Sequence, residues 1–189
     1  DHRPVVGVIG DSTFGHSGLS SLINTVYNQG VGTICILDNR TTAMTGQQGN
    51  PFNGITLQNR PTRELDLEGI IKALGVTDVS TIDPHDMKAV RSALKDATRS
   101  DTLSVLVFRA PCVLIDRIRK PVHAVSEPCG ACGDCSTLGC PSIPKDPVTG
   151  IVTIDEGMCG GCGQCHQEWS LQSLVLASVL RNGESEGTV

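Results

Sequence analysis

Aromatic side chains are scarce in this 189-residue chain: three Phe, one Tyr and one Trp, 3% in all. Long apolar runs are missing too. No stretch of eighteen apolar residues exists, which excludes a membrane-spanning helix of ordinary length. The first residues, Asp-His-Arg-Pro, lack the basic-then-apolar layout of a secretory leader. Both absences lead to the expectation of a soluble, cytoplasmic protein without a membrane partner. Basic residues are sparse at the carboxyl end: residues 127–189 carry 2 basic and 8 acidic side chains, against 13 and 12 in residues 1–126. Nucleic acid is therefore not an expected partner, whereas an electron carrier steered by charge suits the acidic half. With 39% hydrophobic and 19% charged residues the composition is globular, which excludes disorder. The length suits one ordinary domain plus a small one, or two small ones.

Nine cysteines are present, seven of them between 129 and 165. In a reducing compartment clustered thiols are metal ligands more often than disulfides, and seven cannot pair completely.

The apolar run 4–9 (Pro-Val-Val-Gly-Val-Ile) reads as a buried parallel strand ending in a loop at Gly10-Asp11-Ser12. A helix over 17–29 should follow, with Leu19, Leu22, Ile23 and Val26 on one face and Gly30 as its stop. The run 31–37 is a second buried strand ending at Asp38-Asn39. A right-handed crossover then puts Asp11 and Asn39 near the carboxyl ends of two parallel strands, where open α/β sheets bind ligands. Residues 40–61 lack periodicity and are rich in Gly and small polar residues, a loop long enough to be functional. Next comes a helix with Leu67, Ile70, Ile71 and Leu74 inward and Gly75 as its cap, then a short strand near 79–82. Another helix opens at Asp83-Pro84 and turns Met87, Val90 and Leu94 inward; the last strand spans 103–108. Between 121 and 128 the pattern breaks. The expected domains are thus 1–120, an α/β domain with a parallel sheet, and 121–189, the cysteine module. The chain opens only three residues before its first strand, with no earlier elements to flank that side of the sheet, so a fragment lacking N-terminal segments is expected.

The module reads Cys129-x2-Cys132-x2-Cys135-x4-Cys140-Pro141, then Cys159-x2-Cys162-x2-Cys165. Three thiols at i, i+3 and i+6 supply one iron–sulfur cluster, while the remote Cys before Pro serves the other, as in two-cluster ferredoxins. Zinc is the weaker alternative, because a third Cys in each triplet has no role in a four-thiolate site. Cys159, Cys162, Cys165 and Cys140 thus complete one [4Fe–4S] cluster. Cys129, Cys132 and Cys135 want a fourth thiolate four residues beyond Cys165, where Trp169 stands, followed by Ser170. That second cluster is [4Fe–4S] with an oxygen or nitrogen ligand such as Glu168 or His166, or [3Fe–4S], or absent. Glycines 130, 133, 160, 161 and 163 suit backbone wrapped closely around a cluster.

Gly10-Asp11-Ser12 is followed after 26 intervening residues by Asn39-Arg40-Thr41. Mg2+ shared with a diphosphate wants hard oxygen ligands, and Asp11, Asn39 and the Thr41 carbonyl supply one carboxylate, one amide oxygen and one backbone oxygen. Gly10 lets the chain turn, and the 17–29 helix offers its N-terminus to phosphate. An Asp in a strand-end turn is structural about as often, so context decides. Ser12 and Asp38-Asn39 stand where the thiamine-diphosphate fingerprint has Gly and an Asn pair.

Gly-Asp-Ser-Thr-Phe-Gly-His-Ser-Gly (10–18), Leu-Asp-Asn-Arg-Thr-Thr-Ala-Met-Thr-Gly (37–46) and the cysteine module together resemble the alpha subunit of indolepyruvate ferredoxin oxidoreductase, over residues 4–165. The resemblance implies thiamine diphosphate, Mg2+ and two iron–sulfur clusters, the second module being a ferredoxin-like α+β domain. It implies oxidative decarboxylation of aryl pyruvates with coenzyme A, giving an acyl-CoA, CO2 and reduced ferredoxin, with a pyruvate-type oxidoreductase as the alternative. A beta subunit and dimerisation are implied partners. Gly10, Asp11, Ser12, Thr13, Asn39, Thr41, Thr42 and Thr45 are the implied cofactor contacts. No catalytic group is assigned; His16 is a candidate to face the thiazolium or substrate carboxylate, and a loop or capping role is an equal alternative. The upstream half of the family, with the aminopyrimidine site and its Glu, is absent, so turnover by this chain alone is not expected. Two rivals remain: a thiamine decarboxylase without redox steps, which has no use for the cysteines, and a ferredoxin-like carrier, which has none for Asp11 and Asn39.

Cys35 and Cys112 are expected as small core residues; His2, His85 and His123 as surface residues without partners. Leu171, Leu174, Val175 and Val179 read as a packing helix ended by Asn182-Gly183.

Overall fold

The computed structural model describes residues 4–115, 122–125, 129, 131, 133–168 and 174–176. The chain divides into two compact units, residues 1–116 and 117–189.

The first unit is a four-stranded parallel sheet in the order β1-β2-β4-β3, with β1 Val6–Gly10, β2 Gly32–Asp38, β3 Asp78–Ile82 and β4 Leu103–Arg109. Three helices follow β1, precede β3 and precede β4: α1 Leu19–Tyr27, α2 Leu67–Ala73 and α3 Met87–Ala97. One face of the sheet packs Ile36, Val105 and Val107 against Leu22 of α1, Leu67 and Ile71 of α2, and the rings of Phe14 and Phe52. The other packs Cys35, Leu106 and Phe108 against Ala97 and its neighbours on α3. Cys35 is thus a core thiol, and burial raises its pKa. Cys112 is not in that core: half-buried in the segment after β4, it donates its backbone N–H to the Asn39 carbonyl at 3.0 Å.

Several expectations are corrected. No loop separates β1 from the first helix: Asp11–Thr13 is already α-helical, Phe14–Gly18 forms a π-helical turn, and α1 continues from it. The small residues of this stretch hide the start, since apolar periodicity resumes only at Leu19. A side chain at Gly15 would bring its Cβ within 2.8 Å of the Phe52 ring, so close packing calls for glycine there. The helix ends at Tyr27 with Asn28 as its C-cap, and Gln29 (φ 53°), not Gly30, takes the left-handed position; Gly30 N–H reaches Thr25 O at 2.8 Å and Gln29 N–H reaches Val26 O at 3.0 Å. Helix α3 is capped by Asp86, whose carboxylate accepts from Ala89 N–H at 2.9 Å, and not by Asp83. Asp83 is occupied in a turn of its own, accepting from His85 N–H at 2.8 Å. His85 therefore has a partner, its Nδ1 lying 3.0 Å from the same carboxylate. Finally, β1 is not buried on both faces: Val6 and Val8 are exposed, because the cluster under α3 takes in residues of β2, β3 and β4 and none of β1.

In the second unit, β5 (His123–Val125) pairs antiparallel with β6 (Leu174–Leu176). The helix expected over 171–179 is thus corrected at 174–176, a short apolar segment whose spacing fits either structure. A 3-10 turn spans Asp134–Leu138 and a short helix, α4, spans Gln164–Glu168. Cys135, Ile143 and Val152 form the centre, with Cys129, Leu138, Cys140, Ile154 and Cys165 packed around it. His2, Cys132, Trp169, Ser170 and Asn182-Gly183 lie outside the described residues, as do the side chains of His123, His166 and Glu168. Among the described residues no helix is long and apolar enough to cross a membrane.

Candidate diphosphate and metal site

β1 and β2 run parallel in register, Gly10 beside Leu37, so Asp11 and Asp38-Asn39 leave the sheet side by side at its carboxyl edge. Asp11 is 2% exposed at the first position of the helical stretch. Its Oδ1 accepts from Ser12 N–H at 2.7 Å, and its Oδ2 accepts from Asn50 Nδ2 at 3.0 Å. Burial pushes its pKa up; the N–H groups of Ser12, Asn50 and Arg40 work against that, while the nearby Asp38 carboxylate adds to it. The Arg40 backbone N–H donates to Asp38 Oδ1 at 3.3 Å, folding the turn after β2 back onto the strand end.

That turn is built by side chains on their own backbone. Asn39 Oδ1 accepts from Thr41 N–H at 3.1 Å, and the Thr41 hydroxyl, itself buried, donates to Gln48 O at 3.2 Å. Thr42 donates its hydroxyl to Ser12 Oγ at 2.8 Å, so the serine that replaces a glycine of the fingerprint ties the two halves of the site together. Gly10 is in ordinary extended backbone (φ −76°, ψ 153°), so no turn demands glycine there; the space where a Cβ would stand is open. Thr13 and Thr45 are exposed, Thr45 lying in the 3-10 turn Ala43–Thr45 with its hydroxyl donating to Gln48 Oε1 at 2.6 Å. His16 is exposed on the π-helical turn.

The donor set fits Mg2+. Asp11, the Asn39 amide and the Thr41 carbonyl are hard oxygens, and the groups acting on Asp11 are N–H donors and another carboxylate, none of them a cation. A divalent ion would supply the positive charge that this buried carboxylate lacks.

Two features here have no signal in the motif. Asn50, 5% exposed, sits on Asp11 although its Gly-Asn-Pro context reads as a plain turn. An ion-pair network also anchors the strand ends: Asp38, its side chain 0% exposed, meets Arg109 Nε at 2.7 Å and Arg40 Nε at 3.6 Å, and Arg109 also holds Glu68 at 2.9 and 3.0 Å. Arg40 in turn bonds Phe52 O and pairs with Glu64. A cleft of about 260 Å3 lies along these residues. A larger one, about 350 Å3, lies at the opposite ends of the strands, lined by Gly30, Gly75 and Leu103, and gathers no chemistry.

Among the described residues no three His, Cys, Asp or Glu side chains stand as a metal-holding group. Cys129, Cys135, Cys140 and Cys165 nonetheless gather around one small apolar core. Cys165 is pushed up to about 11 by burial and then by Cys162, Cys159 and Cys140, the three partners expected for its cluster. N–H groups of Val152 and Ala131 pull Cys129 down. Gly133, Gly161 and Gly163 have positive φ, as does Ala131.

A parallel α/β sheet with such a strand-end site has the architecture of a cofactor-binding domain, and residues 1–108 match the model for "Thiamine pyrophosphate enzyme, C-terminal TPP binding domain"; the chain belongs to that family. It is similar to the indolepyruvate oxidoreductase subunit IorA of Thermococcus kodakarensis (41% identity) and of Pyrococcus abyssi (39%), each over 172 residues that cover 86% of this chain and 26% of the relative. The subunit of the same name from Archaeoglobus fulgidus is 34% identical over 171 residues, 87% of this chain and 27% of that one. The chain spans about a quarter of the length of the curated relatives it matches. The resemblance carried by residues 10–18 and 37–46 is borne out.

Proposed function

We propose that this chain is the diphosphate-binding and electron-transfer portion of a 2-oxoacid:ferredoxin oxidoreductase acting on aryl 2-oxoacids, with coenzyme A as acyl acceptor and ferredoxin as electron acceptor. The observation that carries the reading is the buried Asp11 at the end of β1, flanked by the Asn39–Thr41 turn of β2 and, among the described residues, lacking a cationic partner. Asp11, Asn39 and the Thr41 carbonyl hold Mg2+, and the open space at Gly10 admits the diphosphate, with Ser12, Thr13, Thr42 and Thr45 around it. When bound, thiamine diphosphate supplies the carbanion chemistry that releases CO2 from a 2-oxoacid. This chain's residues fix the cofactor's charged end and close the loop 40–50 over it through the Thr42–Ser12 and Asn50–Asp11 bonds. His16, exposed beside the site, is the candidate for contact with substrate.

Cys140, Cys159, Cys162 and Cys165 hold one [4Fe–4S] cluster, supported by the mutual field at Cys165. Cys129, Cys132 and Cys135 hold a second, [3Fe–4S] or completed to [4Fe–4S] by a non-thiolate ligand, in a ferredoxin-like domain. The N–H groups on Cys129 and the left-handed glycines favour thiolates wrapped by backbone. The relatives' printed name, an indolepyruvate oxidoreductase subunit, supports the aryl 2-oxoacid and a partner subunit; a beta subunit as that partner and a dimeric, cytoplasmic enzyme belong to the same reading.

The test is Asp11→Ala in the full-length, assembled enzyme. Loss of bound thiamine diphosphate and of ferredoxin reduction, with iron content retained, is expected; intact cofactor content and turnover would favour a simple electron carrier.

A further inference from the structure

We infer that Asn50 is the positioning residue of the metal site: it sets the Asp11 carboxylate in its ligating orientation and seats the loop 40–50 on it. This rests on the proposed Mg2+ diphosphate reading and adds a residue that the fingerprint does not contain. Asn50 is 5% exposed and far along the chain from Asp11, and both ends of its amide are used. Nδ2 donates to Asp11 Oδ2 at 3.0 Å, while Oδ1 accepts from Phe52 N–H at 2.9 Å. The Phe52 bond fixes which way the amide faces, because an inverted amide would set an N–H against an N–H. Phe52 is itself locked, 1% exposed in the core against the π-helical turn, so the chain from core ring to amide to carboxylate has no loose member. Asp11 Oδ1 is taken by Ser12 N–H, which leaves the carboxylate held from two sides and its remaining lone pairs aimed by those bonds. A ligating carboxylate is ordinarily oriented by such an outer hydrogen bond, and its loss weakens metal binding about 10–100-fold.

The experiment titrates Mg2+ into the full-length assembled enzyme, freed of metal and saturated with thiamine diphosphate, and separately thiamine diphosphate at saturating Mg2+, both by calorimetry. Asn50→Ala removes both bonds. Asn50→Leu removes both bonds at nearly the same side-chain volume and adds no charge, so it decides the matter if Asn50→Ala does not assemble. About tenfold weaker Mg2+ binding is expected in either variant, with cofactor affinity at saturating Mg2+ within about twofold of the parent. Mg2+ affinity that is unchanged or tighter would overturn the inference. So would parallel losses of Mg2+ affinity, cofactor affinity and melting temperature, which mark a merely structural loop residue. A parent enzyme that binds neither Mg2+ nor thiamine diphosphate would instead overturn the underlying reading, and this one with it.

Discussion

Arg109→Met is expected to be among the most destabilising single changes at the carboxyl edge of the sheet. The guanidinium bridges two carboxylates, meeting Asp38 at 2.7 Å and Glu68 at 2.9 and 3.0 Å, and the Asp38 side chain has no solvent exposure. Taking away one partner of a buried pair leaves an uncompensated charge, at a cost of about 3–5 kcal/mol. Arg40 Nε, 3.6 Å from the same carboxylate, keeps part of the compensation, and Arg109 is 27% exposed, so the lower end, about 3 kcal/mol, is expected here. Arg109→Lys should recover less than half of that, since one ammonium cannot bridge Asp38 while gripping both Glu68 oxygens. Equilibrium unfolding of the full-length protein in urea gives the numbers, with Glu68→Gln and the double variant closing a thermodynamic cycle. Arg109→Met within about 0.5 kcal/mol of the parent, the range of an ordinary surface change, would refute the reasoning. Arg109→Lys as stable as the parent would do the same.

The same network makes stability depend on acid. Burial acts to raise the Glu68 pKa, but the Arg109 and Thr81 hydrogen bonds outweigh it and bring the group from 4.5 to about 2. A depressed folded pKa means that its contribution is complete above 4.5 and lost as pH falls toward about 2; Glu68→Gln should flatten this part of the stability profile. Gly15→Ala sets a Cβ 2.8 Å from a Phe52 ring that is fully buried and has no room to move, an overpacking expected to cost about 1–3 kcal/mol by thermal unfolding. Cys140→Ala should remove the cluster assigned to Cys159, Cys162 and Cys165 while leaving bound thiamine diphosphate unchanged, checked by iron analysis and EPR.

The sheet was legible because its strands are apolar runs bounded by Gly, Asp and Pro, and Asp11 and Asn39 because they close two such runs. The helix start was not, since Ser12, Thr13, Gly15, Ser17 and Gly18 carry no apolar rhythm and a π-helical turn shifts the phase before Leu19. Asp83-Pro84 mimics a cap, but Asp83 spends its carboxylate on His85, and Asp86 takes the role. Asn50 and Arg109 escaped because their importance lies in contacts 39 and 71 residues away along the chain, which no local pattern encodes. The proposed cysteine ligands rest on their spacing, which is itself a local pattern; the strand Leu174–Leu176 was not legible, since only its pairing with His123–Val125 separates it from a helix.

The most direct test is anaerobic purification of the full-length enzyme followed by iron, acid-labile sulfide and thiamine analysis with EPR. The account predicts thiamine diphosphate bound with Mg2+ and about seven or eight irons with matching sulfide, seven marking [3Fe–4S] plus [4Fe–4S] and eight two full clusters. Zinc without sulfide, or an enzyme devoid of thiamine diphosphate, would contradict it.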